Sequence, residues 1–157
     1  MNARSLHVKL YRIVSKQYVD SAWNGQGAAM YGGRWNSLGV PMVYTSPTLS
    51  LAILEVLVHL NSPRRFDNFV TLELELPESE LMMLPQSELA EGWRYNEIMS
   101  RGLGDSFIES ESAAGLMVPS FIVPLEHNVL VNPSNPVVIE SVKNAVDLKY
   151  QIDPRLI

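Results

Sequence analysis

Tyr44-Thr-Ser-Pro-Thr-Leu-Ser-Leu-Ala-Ile-Leu-Glu-Val-Leu-Val-His-Leu60 runs from a strand end into an apolar helix with one carboxylate at its middle. Ser46 before Pro47 predicts the helix start, because a serine oxygen caps free N–H groups and a proline in the first turn loses no hydrogen bond. The helix is expected to continue to about Leu60. At about 100° per residue, Thr48, Ala52, Glu55 and His59 share a narrow arc, while Leu49, Ile53, Val56, Leu57 and Leu60 cover most of the remainder. The helix is therefore expected to be largely buried. Two readings of Glu55 stay open: a thin solvent-facing stripe, or the wall of a cleft. The second requires partners elsewhere, since a carboxylate lowered among leucines costs several kcal/mol unless a cation or hydrogen-bond donors meet it.

With 157 residues and 46% hydrophobic content, the chain is expected to form one domain over residues 1–157. It contains no run of eighteen apolar residues, and Met1 to Val8 does not read as a secretory leader, so a cytoplasmic location without a membrane span is expected. The absence of cysteine removes disulfides, thiolate nucleophiles and zinc–sulfur sites. His7, His59 and His127 show no ligand spacing, so no metal is expected.

Charge is unevenly spread. Residues 1–54 hold Arg4, Lys9, Arg12, Lys16 and Arg34 against Asp20 alone, a net of +4, whereas residues 55–157 hold seven basic against sixteen acidic residues, a net of −9. A pI near 5.1 disfavours a broad phosphate-backbone surface, so no direct nucleic-acid binding is expected. A small anionic ligand near the first third remains compatible with this pattern, as does ordinary solvated surface.

Working outward from the helix, His7 to Val14 alternates in part and reads as a strand with Arg12 near its end. Residues 15–30 read as a loop or short irregular helix. In Tyr31-Gly-Gly-Arg-Trp-Asn, the paired glycines permit close backbone approach, Asn36 to Gly39 makes a turn, and Val40 to Thr45 is a short strand. Arg34, Tyr44 and Glu55 are thereby deliverable to one corner. After a polar connection at 61–68, Phe69 to Leu76 alternates cleanly, with Val70, Leu72, Leu74 and Leu76 on one face and Thr71, Glu73 and Glu75 on the wet face. Residues 77–92 are turn-rich. A brief helix is expected from Trp93 to Arg101, stopping at Gly102 and Gly104, then a second one capped by Asp105 through Ser112. Two strands follow within 115–124 and 128–133, and the tail from Val137 reads as strand, loop and strand. The fold class expected is α+β, with small mixed or antiparallel sheets flanked by short helices and a cleft between the first strands and the Glu55 helix.

No Gly-x-Gly-x-x-Gly follows a strand, no Gly-x-x-x-x-Gly-Lys-Ser/Thr occurs, and no Gly-x-Ser-x-Gly elbow is present. What remains is an arginine, a glutamate and a serine far apart in sequence. The words Leu10-Tyr-Arg-Ile, Tyr31-Gly-Gly-Arg-Trp-Asn, Val43-Tyr-Thr-Ser, Leu51-Ala-Ile-Leu-Glu-Val-Leu-Val-His, Val118-Pro-Ser, Asn128-Val-Leu-Val-Asn-Pro and Asp153-Pro-Arg-Leu, in this order, resemble the RES domain, named for arginine, glutamate and serine. That resemblance implies an ADP-ribosyltransferase-like fold that consumes NAD, in the toxin of a bacterial toxin–antitoxin module with an Xre-family antitoxin as partner. It leaves room for a homodimer within the complex.

The resemblance also implies a site. Glu55, Arg12 and Ser120 would be catalytic, and Tyr31, Gly33, Arg34, Tyr44 and Asn132 would bind NAD. Cleaving the nicotinamide–ribose bond builds positive charge on the ribose, which a carboxylate such as Glu55 stabilises. An arginine fork suits a pyrophosphate, an aromatic such as Tyr44 or Tyr31 stacks on nicotinamide, and Ser120 supplies a hydroxyl hydrogen bond. Which of Arg12 and Arg34 is essential stays open at this point. So does the acceptor: water or phosphate would make the chain an NAD glycohydrolase or phosphorylase, and a protein side chain would make it a mono-ADP-ribosyltransferase. A non-catalytic interaction module is the remaining alternative.

Overall fold

Two strands of nine residues pair into one ladder: β1 (His7–Ser15) runs antiparallel to β3 (Phe69–Pro77), from His7 opposite Pro77 to Ser15 opposite Phe69. The computed structural model describes residues 6–60 and 68–156. The connection read at 61–68 lies outside the described residues except for Asn68. β7 (Val146–Asp147) pairs with β3 and completes the first sheet, order β1-β3-β7. β2 (Val43–Thr45), β6 (His127–Val131), β5 (Gly115–Pro119) and β4 (Leu81–Met83) form the second, in that order, with only β4 and β5 parallel. The expected α+β class with small mixed sheets holds.

β6 lies between two cores. Its alternating side chains enter two cores: Val129 and Val131 pack with Leu10, Val43, Leu74, Leu76 and Val138, whereas Leu130 packs with Trp35, Met42, Phe107, Leu116 and Val118. A strand buried on both faces reads as a continuous apolar run. Pro41 and Pro47 flank β2 and confine it to three residues, since proline cannot donate to a ladder. The sheets meet at a bridge between Tyr11 and Ser46, whose N–H and C=O groups exchange hydrogen bonds of 2.8 and 2.9 Å. This bridge sets Arg12 of β1 beside Tyr44 of β2.

The central helix differs in detail from its expected form. α2 spans Leu49–Leu57 and is capped by Thr48, whose side chain accepts from Leu51 N–H at 3.2 Å; Ser46 belongs to the bridge instead. Only Leu51 and Ala52 are buried, with Leu54 40% and Val58 58% exposed, so the helix is not largely buried. It packs against β1 along one side, and the next arc of its surface faces a cleft.

The paired short helices expected over 93–112 are one helix, α3 (Glu97–Ser110), preceded by a single 3-10 turn at Trp93–Tyr95. Gly102 and Gly104 lie inside it. A Cβ on Gly104 would sit 1.7 Å from the Trp35 carbonyl oxygen, so close helix–loop packing, not chain reversal, requires that glycine. Asp105 caps nothing; its carboxylate accepts from Ser37 N–H at 2.9 Å and Ser37 Oγ at 2.6 Å, bracing the loop over 34–38. Residues 15–31 resolve into a 3-10 turn at Lys16–Tyr18 and α1 (Gln26–Tyr31). The β-branched run after Asn135 is α4 (Pro136–Val142): the Asn135 cap and Pro136 in the first turn start a helix that delivers Val138 to the core. Thr71, expected on a wet face, is buried where β7 and Leu148 join β3.

Candidate active site

A cleft of about 870 Å³ lies between β1, β2, α2 and the loops around 33–35 and 120–122. Glu55 lines it from α2, which removes the solvent-stripe reading. Its Oε1 accepts from Ser120 Oγ at 2.8 Å and from Asn128 Nδ2 at 2.6 Å. These are the donors that a lowered carboxylate requires. They arrive from β6 and the end of β5, whose pairing sets Val118 opposite Asn128.

Ser120 is fully buried. Its Oγ accepts from the backbone N–H groups of Ile122 and Val123, each at 3.0 Å, while donating to Glu55. A hydroxyl has one proton, and here the carboxylate receives it. Asn128 Oδ1 accepts from Ser46 Oγ at 2.7 Å, so the bridge residue between the sheets also orients the amide that meets Glu55.

The two candidate arginines differ sharply. Arg12 lines the cleft and donates from one terminal nitrogen to the Tyr44 carbonyl at 3.1 Å, but its Nε is buried without a partner among the described residues. None of the ion pairs among the described residues involves it. Burial pushes its guanidinium down to about 10, still a cation at neutral pH. Arg34 instead pairs with Glu97 at 3.2 Å and lies 4.7 Å from the Phe121 ring centroid, half exposed. Glu97 also holds Arg101 at 2.9 Å, and Arg101 Nε donates to the Gly33 carbonyl at 2.9 Å. Phe121 packs edge-on against Trp93 and Trp35, at 4.9 and 5.7 Å between centroids, and its carbonyl accepts from Arg94.

Tyr44 lines the cleft with its hydroxyl already engaged, donating to Asn36 Oδ1 at 2.6 Å and accepting from Trp35 N–H at 3.0 Å. Burial pushes this phenol up to about 12. Asn36 is itself buried and donates to the carbonyls of Ala28 and Val40, tying α1 to β2. Gly33 lines the cleft for a steric reason: a Cβ there would stand 2.5 Å from Tyr44 Oη and 2.7 Å from Asn36 Oδ1.

Glu55, Arg12, Arg34, Tyr44 and Gly33 all line one cleft, and Ser120 reaches it through Glu55. Tyr31 and Asn132 do not join them. Tyr31 ends α1 with 78% exposure, and Gly32, at φ 70°, turns the chain so that residues 32–35 line the cleft in its place. Asn132 is buried beyond the far end of β6, about 13 Å along the strand from Asn128, and its Oδ1 accepts from Ser134 N–H and Oγ in a turn. Sequence reasoning missed Asn128, although strand alternation puts it on the same face as the cleft-lining Leu130. It placed His59 on the Glu55 arc without giving it a site role, and it missed Phe121, which with Trp35 lines the cleft and is backed by Trp93.

Glu55 is the one carboxylate among the described lining residues, against the guanidinium groups of Arg12, Arg34 and Arg94. Such a cleft suits an anionic ligand of small-molecule size that presents a cationic or hydroxyl-bearing group to the carboxylate. Among the described residues no three His, Asp or Glu side chains gather as a metal site, and no helix is long and apolar enough to cross a membrane.

Comparison with known proteins gives matches over nearly the whole chain. The family model described as RES domain matches residues 9–153. A Yersinia enterocolitica protein named Toxin Res is 38% identical over 149 residues, covering 94% of this chain and 98% of that protein. A Sphingobium protein named Prs ADP-ribosylating toxin is 36% identical over 148 residues, covering 91% of each. In fold, the chain resembles one in the crystal structure of the M. tuberculosis MbcT–MbcA toxin–antitoxin complex, with a TM-score of 0.61 at 18% identity, over 97% of this chain and 87% of that one.

Proposed function

The chain belongs to the RES domain family, and from that premise we propose that it is the toxin of a bacterial toxin–antitoxin module and arrests growth by breaking down cytoplasmic NAD. One observation carries the reading: a buried guanidinium with an unpartnered Nε, Arg12, shares a cleft with a carboxylate whose donors, Ser120 and Asn128, both bind one oxygen. A buried unpaired cation is costly unless an anion completes it. The NAD pyrophosphate supplies that anion to Arg12, with Arg34 at the cleft wall in a supporting role. The rings of Tyr44 and Phe121 offer apolar faces to the nicotinamide end.

In the reaction, the bond between the nicotinamide nitrogen and the ribose anomeric carbon breaks and its electron pair leaves on nitrogen, so nicotinamide departs neutral. Positive charge grows on the ribose. Glu55, held in place by Ser120 and Asn128, faces that charge or holds the ribose hydroxyls, and its field is worth most in a cleft with little water. An oxygen of water, losing its proton, or of phosphate then bonds to the anomeric carbon, giving ADP-ribose or ADP-ribose phosphate.

A second acceptor is favoured by the name of the Sphingobium relative: a protein side chain would take the ADP-ribose from the same cleft. Mass spectrometry of purified protein with NAD and phosphate separates these outcomes, as free ADP-ribose, ADP-ribose phosphate or a protein carrying ADP-ribose. Intact NAD in every condition overturns the function.

The partner is an antitoxin. The fold shared with a chain of a toxin–antitoxin complex supports an antitoxin partner, and the family resemblance implies one of Xre type, with an acidic segment entering the anion site beside Arg12. Co-expression with the neighbouring antitoxin gene should relieve growth inhibition and yield a co-purifying complex. Failure of both removes the partner.

A further inference from the structure

We infer that Asn128, braced by Ser46, is a positioning residue that fixes the Glu55 carboxylate by occupying Oε1 and leaving Oε2 for the substrate. Asn128 donates to Oε1 at 2.6 Å and Ser120 donates to the same atom at 2.8 Å, whereas no described residue donates to Oε2. Two donors on one oxygen hold the carboxylate at a single rotation about its terminal bond, a torsion that is otherwise broad. The amide has its own constraint. An ionised carboxylate only accepts, so the amide must present its NH₂ side to Glu55, which leaves Oδ1 to accept from Ser46 Oγ at 2.7 Å.

The brace reaches outside the cleft. Ser46 is buried and its backbone forms the bridge with Tyr11, next to Arg12 on β1. The junction that seats the anion-binding guanidinium therefore also aims the carboxylate, which ties the spacing of the two charges to one piece of backbone. A residue that misaligns a catalytic group by about 1 Å can lower turnover a hundredfold. The effect on turnover rests on Glu55 being the catalytic carboxylate; the relay of hydrogen bonds does not.

Titration of the Glu55 carboxyl by ¹³C NMR in full-length protein labelled at glutamate tests the relay without substrate, the signal being assigned by its loss in Glu55→Gln. The other titratable or charged groups lining the cleft are Tyr11 and Arg12 on β1, Tyr44 on β2, His59 at the end of α2, and Arg34, Arg94 and Tyr95 on the loops, and they are common to all variants. Asn128→Ala removes a donor to the charged form and should raise the midpoint. Asn128→Asp, of equal size, places a second carboxylate there and should raise one midpoint of the pair further. Ser46→Ala removes the hydroxyl that holds Asn128 Oδ1, loosens the amide against Glu55 and should raise the midpoint by less, with no added effect in an Asn128→Ala background. With NAD, Asn128→Ala should lower kcat roughly tenfold to a hundredfold at little change in KM, and the acid limb of the pH profile should move with the NMR midpoint.

If Asn128→Ala does not fold, the isosteric Asn128→Asp and the Ser46→Ala variant carry the test. Unmoved Glu55 midpoints in an active protein overturn the relay. Midpoints that move as stated in a protein that leaves NAD intact uphold the relay and overturn the NAD reading instead.

Discussion

Ser120 Oγ lies 2.8 Å from Glu55 Oε1 and 3.0 Å from each of the backbone nitrogens of Ile122 and Val123, so one hydroxyl anchors both the carboxylate and the turn that carries Phe121. Ser120→Ala should therefore damage two things at once. Two N–H groups and a carboxylate lose a partner, and stability should fall by about 1–3 kcal/mol, the usual cost of unsatisfied buried groups. Thermal unfolding alongside NAD turnover checks this: a fully active and fully stable Ser120→Ala protein would contradict it.

Glu55→Gln should separate catalysis from folding. Glutamine keeps an oxygen that accepts from Ser120 and Asn128, so Tm should hardly move. The charge that opposes the developing cation is lost, and turnover should drop by roughly a hundred- to a thousand-fold, about 3–4 kcal/mol of transition-state stabilisation. NAD affinity, read by calorimetry, should largely survive. Depletion of cellular NAD at the parent rate would remove the catalytic assignment.

Arg12 should oppose stability while serving binding. Its buried Nε has no partner among the described residues, so Arg12→Met should leave the free protein as stable as the parent or stabilise it by about 1 kcal/mol or more. The same change should raise the NAD concentration needed for half-maximal rate and abolish the rise in Tm that NAD or ADP-ribose confers on the parent. Arg34→Ala should have the weaker effect on affinity, because Glu97 already pairs with that guanidinium. Equal losses from both substitutions would count against the division of roles.

Alkaline stability should expose Arg12 and Tyr44 as opposing terms. Burial pushes Tyr44 up to about 12, so the unfolded chain releases the proton first and Tyr44 contributes stability that fades between pH 10 and 12. Burial pulls Arg12 down to about 10, below the ordinary arginine value, so the folded protein releases that proton first and stability recovers as pH rises above 10. The two slopes offset each other in the parent. Compared with it, Arg12→Met should lose stability more steeply above pH 10, and Tyr44→Phe less steeply. Parallel urea-unfolding curves for all three proteins from pH 9 to 11.5 would refute the pairing.

Gly33→Ala should destabilise the cleft wall by about 1–3 kcal/mol, the usual effect of overpacking. Its Cβ would meet Tyr44 Oη at 2.5 Å and Asn36 Oδ1 at 2.7 Å. Tyr44→Phe removes the first of these atoms and should restore part of the loss in the double variant. A double variant no better than the sum of its parts would show that the strain lies elsewhere.

Much of this protein was legible along the chain. The alternation of Phe69 to Leu76, the apolar words around Val118 and Leu130, and the strand–helix order from Val40 to about Leu60 predicted the α+β class, and the arginine, glutamate and serine words named the family. These are local signals: a period of two, a period of 3.6, a run of residues in order. Local signals failed where a distant partner decided the outcome. Gly104 reads as a helix stop until the Trp35 carbonyl is found against it, and Asp105 reads as a cap until Ser37 claims its carboxylate. The tail's valines read as strand, but Asn135 and Pro136 started a helix and the core took Val138.

The site divides along the same line. Residue types alone made Glu55 either surface stripe or cleft wall, and left Arg12 and Arg34 equal. Tertiary structure separated them by pairing: Ser120 and Asn128, 65 and 73 residues away, meet Glu55, Glu97 meets Arg34 from 63 residues away, and no described residue meets the Nε of Arg12. Charge and hydrogen-bonding capacity belong to a residue and are written in the sequence. Whether that capacity is already satisfied depends on which groups the fold brings within about 3 Å, and that distance exists only once β1, β2, α2 and β6 have closed around the cleft.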